Sequence, residues 1–158
     1  MNKRKIISVI KTEIIKGLDP AGPGFESTPG LGISSSDAKF VEIIHTDAGN
    51  YGLKRSAGHV DFYPNGGGQK QPGCSDADEP DCSHDRAYIY YAESLRRPKE
   101  WLAVHCSDYF TFLKGDCVTG DIAPFPRWSG NFKKKNGSYF LITGNAEPFG
   151  LGMKGVEK

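Results

Sequence analysis

Apolar residues along this chain cluster in runs of strand length, with a single stretch of helical period. Glu13 to Pro20 reads as a short strand ending at Asp19 and stopped by Pro20, and a loop rich in Gly, Pro and Ser follows through Ser36. Ala38 to His45 is a nearly continuous apolar run, the pattern of a strand buried on both faces. Gly49 to Gly58 reads as a short loop, and His59 to Tyr63 alternates like a strand before the turn at Pro64-Asn65-Gly66-Gly67-Gly68. From Ser83 the period becomes helical: Ala87, Tyr90, Tyr91, Ser94 and Leu95 share one face, and Pro98 should end the helix. Ser83 is the expected N-cap, which places His84 in the first turn. After Cys106 the pattern predicts aromatic loops, then a strand over Gly137 to Thr143, and a frayed Gly-rich end. Strands mixed with one clear helix predict an α/β sheet rather than an all-β sandwich.

Composition narrows the functional classes. A chain of 158 residues with 37% hydrophobic and 11% aromatic content suits one globular domain and not a wholly disordered polypeptide. The 20 Gly and 10 Pro follow no period, so they predict abundant turns and not a collagen-like rod. A formal charge of +1, with no basic stripe, speaks against nucleic acid as a partner; Lys133-Lys134-Lys135 reads as a solvated loop. Runs such as Ile6-Ile7-Ser8-Val9-Ile10 are far too short for a transmembrane segment. Met1 to Lys5 has the basic start of an export signal, but the apolar stretch breaks at Lys11 and Glu13, so no signal peptide is expected in the chain as it stands. The cysteines point the other way. Cys74, Cys82, Cys106 and Cys117 form two local pairs along the sequence and allow three connectivities, of which local pairing is the simplest. Such pairing implies an oxidising compartment. A zinc site at Cys82 and His84 lacks the accompanying Cys-x-x-Cys.

Two residues could act together as an acid–base unit. Asp19 stands where a strand ends, from which a side chain reaches a cleft at the carboxyl edge of a sheet. His84 opens a helix, and a His oriented by a buried carboxylate is the general-base half of a hydrolytic triad. In α/β-hydrolases the chain order is Ser, Asp, His, so this order implies a Ser upstream.

A resemblance covering about residues 12 to 150 bears on that pair. The segments are Gly17-Leu18-Asp19-Pro20-Ala21-Gly22-Pro23, Ser36-Asp37-Ala38-Lys39-Phe40-Val41 and Ile44-His45-Thr46-Asp47. Gly58-His59-Val60-Asp61-Phe62-Tyr63-Pro64-Asn65-Gly66-Gly67, Gln71-Pro72-Gly73-Cys74, Cys82-Ser83-His84-Asp85-Arg86-Ala87 and Tyr90-Tyr91-Ala92-Glu93-Ser94 follow. In this order they resemble the pancreatic-type lipase family. The resemblance implies an incomplete α/β-hydrolase fold: residues 1–158 as the C-terminal part of a catalytic domain, without the N-terminal strands and nucleophile elbow, and without a C-terminal β-sandwich. It implies Asp19 and His84 as the triad Asp and His, a Cys74–Cys82 disulfide closing the lid, and Cys106–Cys117 as the next pair. His45 and His59 match family segments other than the catalytic one and are expected to be structural; His105 has no assigned part. The implied activity is hydrolysis of lipid esters by a secreted, extracellular enzyme without a cofactor, and no partner protein is evident.

The loops bear on substrate. The lid candidate, Ser75 to Asp81, has seven residues, four of them acidic and none large and apolar. Such a loop can neither cover a site nor dip into lipid, unlike the long amphipathic lids of triacylglycerol lipases. With the short loop between His45 and His59, it resembles the phospholipase A1 branch known from arthropods, which implies an open site for polar head groups. Some relatives hold calcium after the triad Asp, but here Gly30 to Asp37 offers Ser34, Ser35 and Ser36 beside a single carboxylate, so no metal is expected.

No Gly-x-Ser-x-Gly occurs in these residues; Arg55-Ser56-Ala57-Gly58 comes nearest but lacks the first Gly and follows Asp19. Without nucleophile and oxyanion donors, the chain alone is expected to be inactive. Without the preceding strands, Ala38 to His45 is expected to be a bare apolar edge and the chain to be poorly stable. The alternatives are a non-catalytic lipid- or protein-binding relative, which has no need of both Asp19 and His84, and a small disulfide-held structural module.

Overall fold

The computed structural model describes residues 12–28, 30–75, 81–118, 120–126 and 136–157. Six strands, β1 (Thr12–Leu18), β2 (Ala38–Ile44), β3 (Val60–Pro64), β4 (Leu102–His105), β5 (Ile122–Pro124) and β6 (Gly137–Leu141), form one mixed sheet in the order β1-β2-β3-β6-β4-β5. β1, β2, β3 and β6 are parallel, and β4 runs antiparallel to both β6 and β5. The helix α1 (Cys82–Arg96) lies between β3 and β4 in the chain, and the short α2 (Tyr109–Leu113) between β4 and β5. The α/β class read from the sequence is the class observed. Among the described residues, no helix is long and apolar enough to cross a membrane.

Four local expectations are corrected. β2 is not a bare edge: it lies between β1 and β3, and the outer edge is β1. Its second face is covered from within, because Leu53 and Ala57 of the following loop pack on Ala38, Val41 and Ile43. Ser83 is not the N-cap; Asp81 holds that position, and the buried Ser83 hydroxyl instead accepts the Gln71 N–H at 3.1 Å. The inner face of α1 comprises Arg86, Ala87, Tyr90, Glu93 and Ser94, while Leu95 is exposed, because polar groups with internal partners displace it from the core. Finally, the C-terminal segment is docked, not frayed: Phe149 is buried and the Ile142 N–H donates to the Gly155 carbonyl at 2.8 Å. The aromatic stretch after Cys106 also supplies α2, whose Asp108 cap accepts the Thr111 N–H at 2.9 Å.

The main core is aromatic. Trp101 stacks on Phe125 at 5.0 Å and lies 5.2 Å from Tyr90, which in turn meets Phe149 edge-on at 5.3 Å. Each fully buried Phe contributes about 2 to 3 kcal/mol over exposure. Two buried polar groups fasten this core to its surroundings. The Glu93 carboxylate accepts from Trp101 Nε1 at 3.1 Å, Phe149 N at 3.0 Å and Gly150 N at 2.9 Å. The Gln71 amide donates to the carbonyls of Pro64 and Gly68 and accepts from Asn65 Nδ2 and Tyr90 Oη. The β3 turn and α1 are thereby joined. Glu93→Gln places an amide N–H against backbone donors, and we expect it to lower the unfolding free energy by about 2 kcal/mol in urea denaturation. An unchanged midpoint would count against this role.

Burial acts on three phenols. Tyr63 is pushed up from 10.0 to about 12, chiefly by desolvation, and burial raises Tyr90 and Tyr109 as well. The folded chain therefore keeps protons that the unfolded chain releases near pH 10, so this contribution to stability is complete below that pH and is lost as pH rises toward 12. Ultraviolet titration of the seven tyrosines should show a late-ionising subset in the folded chain. In urea the subset should merge with the rest; a single stage in the folded chain would contradict the assignment.

Candidate active site

β1 delivers Asp19 to the carboxyl end of the parallel strands, and the backbone there turns sharply: Asp19 has φ of +44°, a left-handed conformation that Asp tolerates better than most residues. Its amide continues the ladder to the Ile44 carbonyl at 2.7 Å. The side chain is fully buried and accepts at both oxygens. Oδ1 takes the N–H groups of Thr46 at 2.8 Å and Asp47 at 3.0 Å, and Oδ2 faces His84 Nδ1 at 2.7 Å. The two amides offset the desolvation of the carboxylate and leave one oxygen for the imidazole.

His84 is fixed by its helix. The disulfide Cys74–Cys82 ties the first residue of α1 to the turn before it, the Ser83 hydroxyl is held by Gln71, and Thr46 Oγ1 donates to the His84 carbonyl at 3.4 Å. A bridge spanning 8 residues restricts the unfolded chain by roughly 2 kcal/mol. The carboxylate can only accept, so Nδ1 carries the proton and the neutral ring turns a lone pair outward at Nε2. The His84 side chain is 39% exposed, against 0% for Asp19, so the base faces solvent and its orienting group does not. Tyr51 stands edge-on to the His84 ring at 6.0 Å. The arrangement can take a proton at Nε2 and hold the resulting imidazolium against a buried carboxylate.

The loop around Asp47 makes this geometry possible. Asp47 Oδ2 accepts from Asn50 Nδ2 at 2.8 Å and Tyr51 N at 3.1 Å, and its carbonyl accepts from Gly52 N at 3.0 Å. Gly52 thereby comes directly against Asp19; a Cβ there would sit 2.3 Å from Oδ1. The sequence pattern assigns no role to Thr46, Asp47 or Gly52. Two of them act through backbone N–H groups and the third through the lack of a side chain, neither of which leaves a sequence signature.

The remaining sequence candidates are placed as follows. Cys106 pairs with Cys117, the two cysteines flanking α2 in the chain. His45 is buried between Leu53 O and Asp61, and His59 Nδ1 accepts the Val41 N–H at 3.0 Å. His105 packs edge-on against Tyr139. The lid candidate falls largely on residues 76–80, which lie outside the described residues, as does Lys133-Lys134-Lys135. Among the described residues, no group of three or more His, Cys, Asp or Glu is arranged to hold a metal ion.

Comparison with known proteins adds a lineage to this geometry. A family model described as Lipase matches residues 5–149. Pancreatic lipase-related protein 3 of Homo sapiens is 38% identical over 167 aligned residues, covering 85% of this chain and 36% of that protein. Pancreatic lipase-related protein 2 of Bos taurus is 34% identical over 165, covering 85% of this chain and 35% of that protein. Pancreatic triacylglycerol lipase of Sus scrofa is 35% identical over 167, covering 87% and 37%. The chain thus spans little more than a third of the length of these relatives.

Gly52→Ala should push the Asp19 carboxylate off its donors and break its contact with His84. The measurement is the hydrogen-bonded Nδ1 proton of His84 in the NMR spectrum, expected to be present in the native chain and absent in the variant. Its survival would mean that the close approach is not required.

Proposed function

The chain belongs to the pancreatic-type lipase family, and on that premise we propose that it is the C-terminal part of the catalytic domain of a lipid ester hydrolase. The observation that carries this reading is the 2.7 Å contact between His84 Nδ1 and Asp19 Oδ2, with Nε2 turned outward beside the ends of the parallel strands. In the proposed reaction a serine hydroxyl from a part of the polypeptide outside these 158 residues attacks the ester carbonyl. His84 Nε2 takes the hydroxyl proton as the bond forms. The C–O bond to the leaving alcohol then breaks, and His84 passes the proton to that oxygen. Water repeats the sequence on the acyl-enzyme and releases the fatty acid. Asp19 keeps the imidazole in the reactive tautomer and stabilises its charge. The oxyanion donors are assigned to the same outside segment as the serine.

The short, acidic Ser75–Asp81 loop supports phospholipids as the substrate, by a phospholipase A1-type reaction at an open site. Triacylglycerol is the second reading, supported by the pancreatic triacylglycerol lipase among the similar proteins. Two disulfides, Cys74–Cys82 and Cys106–Cys117, support an extracellular setting. The paired Asp19 and His84 weigh against a purely lipid- or protein-binding role, which needs neither.

Asp19→Asn in the enzyme carrying its serine should lower kcat by roughly 10⁴ while leaving KM nearly unchanged. Release of fatty acid from phosphatidylcholine vesicles and from triacylglycerol emulsions is the assay. Full activity of the variant would remove Asp19 from the mechanism, and faster turnover of the emulsion would decide for the second reading.

A further inference from the structure

A second His–carboxylate pair lies in the core, apart from the one at the site. His45 follows β2 directly and its side chain is wholly buried. Nδ1 lies 3.0 Å from the Leu53 carbonyl and Nε2 lies 2.8 Å from Asp61 Oδ1. A carbonyl and a carboxylate both accept and neither donates, whereas a neutral imidazole has one N–H. Both contacts are hydrogen bonds only if the pair carries one proton beyond that. Asp61 also accepts from Ala57 N at 3.0 Å on Oδ1 and from Gly58 N at 3.1 Å on Oδ2. With donors on both carboxylate oxygens, the additional proton resides on the ring. Removing it would set a nitrogen lone pair against an oxygen lone pair at a fully buried ring, and would leave the Asp61 charge buried without its counter-ion.

We propose that His45 is a permanent buried imidazolium at neutral pH, and that this charge is the clamp that holds the Leu53–Gly58 loop to the end of β2. The clamp acts at the site through the chain itself. Thr46 and Asp47, the next two residues, supply the amides on Asp19 Oδ1. Leu53 is also bonded through its own N–H to Pro20 O, immediately after Asp19. His45 is therefore a positioning residue for Asp19, acting from behind it.

The surroundings suit one cation and no second charge. From β3, Tyr63 stacks on the His45 ring at 4.4 Å with an interplanar angle of 4°, and its phenol, bonded to Ser56, stays neutral because burial pushes it to about 12. His59 shares the wall of a cavity with Asp61 and is occupied at Nδ1 by the Val41 N–H. From the loop, Arg55 is directed to the Ile33 carbonyl and the Lys54 stem lies beside Gly49. From β1, Lys16 pairs with Glu42. Asp61 is the counter-ion.

The test uses the 158-residue chain labelled with ¹⁵N-histidine. Long-range ¹H–¹⁵N spectra at neutral pH should show protons on both ring nitrogens of His45, in the imidazolium shift range. A nitrogen without a proton overturns the proposal in the native chain, with no variant required. His45→Gln keeps one donor and removes the charge. In it, the Thr46 and Asp47 amides should exchange with solvent about tenfold faster or more, the loss expected for a charge-assisted bond. Unchanged protection of those two amides would refute the clamp even with the imidazolium in place.

Discussion

The carboxylate of Asp19 is the point on which the site's geometry turns. It is buried, it sits on a left-handed backbone at the end of an outer strand, and it accepts from three groups on two other segments. Ionised oxygen in such a place is tolerable only with donors already aimed at it. The Thr46–Gly52 turn and the start of α1 are therefore constrained together, one by its amides and the other by its imidazole. Removing either set would leave the other facing an under-bonded charge. Coupling of this kind keeps His84 in one orientation, with Nδ1 committed to Asp19 and Nε2 left free on a partly exposed ring.

Much of the fold was legible because strand length, apolar content and turn residues agreed locally. β1, β2, β3, α1 and β6 all emerge within a few residues of the pattern that announced them. The departures from the local pattern share a cause. Leu95 looked like core by period, yet Arg86 and Glu93 occupy the inner face, because Glu93 finds three donors there and burial follows partners as well as hydrophobicity. Ser83 looked like a cap by residue type, yet its hydroxyl is taken by Gln71 from twelve residues earlier in the chain. The Gly-rich end looked frayed, yet Phe149 is an anchor whose amide also meets Glu93. Each depends on a contact distant in sequence.

The site divides in the same way. Asp19 and His84 were readable as residue types at recognisable places, and local pairing of the cysteines was the simplest connectivity. What holds Asp19 was not readable, because Thr46 and Asp47 contribute amides that any residue but Pro possesses. Gly52 contributes an absence. The His45–Asp61 pair stood in the open as two ordinary residues of two strand segments, and only their register brings them together.

A carboxylate held by main-chain N–H groups has an evolutionary consequence. Apart from Thr46, whose hydroxyl reaches the His84 carbonyl, and Asp47, whose carboxylate organises the turn through Asn50 and Tyr51, side chains in the Thr46–Gly52 turn that do not face Asp19 can vary in chemistry without disturbing its oxygens. Insertion or deletion of a single residue there would move both amides at once. The constraint on that turn is therefore one of length and backbone path more than of composition. Variation in this lineage should accumulate there as substitution, with changes of length confined to the loops on either side.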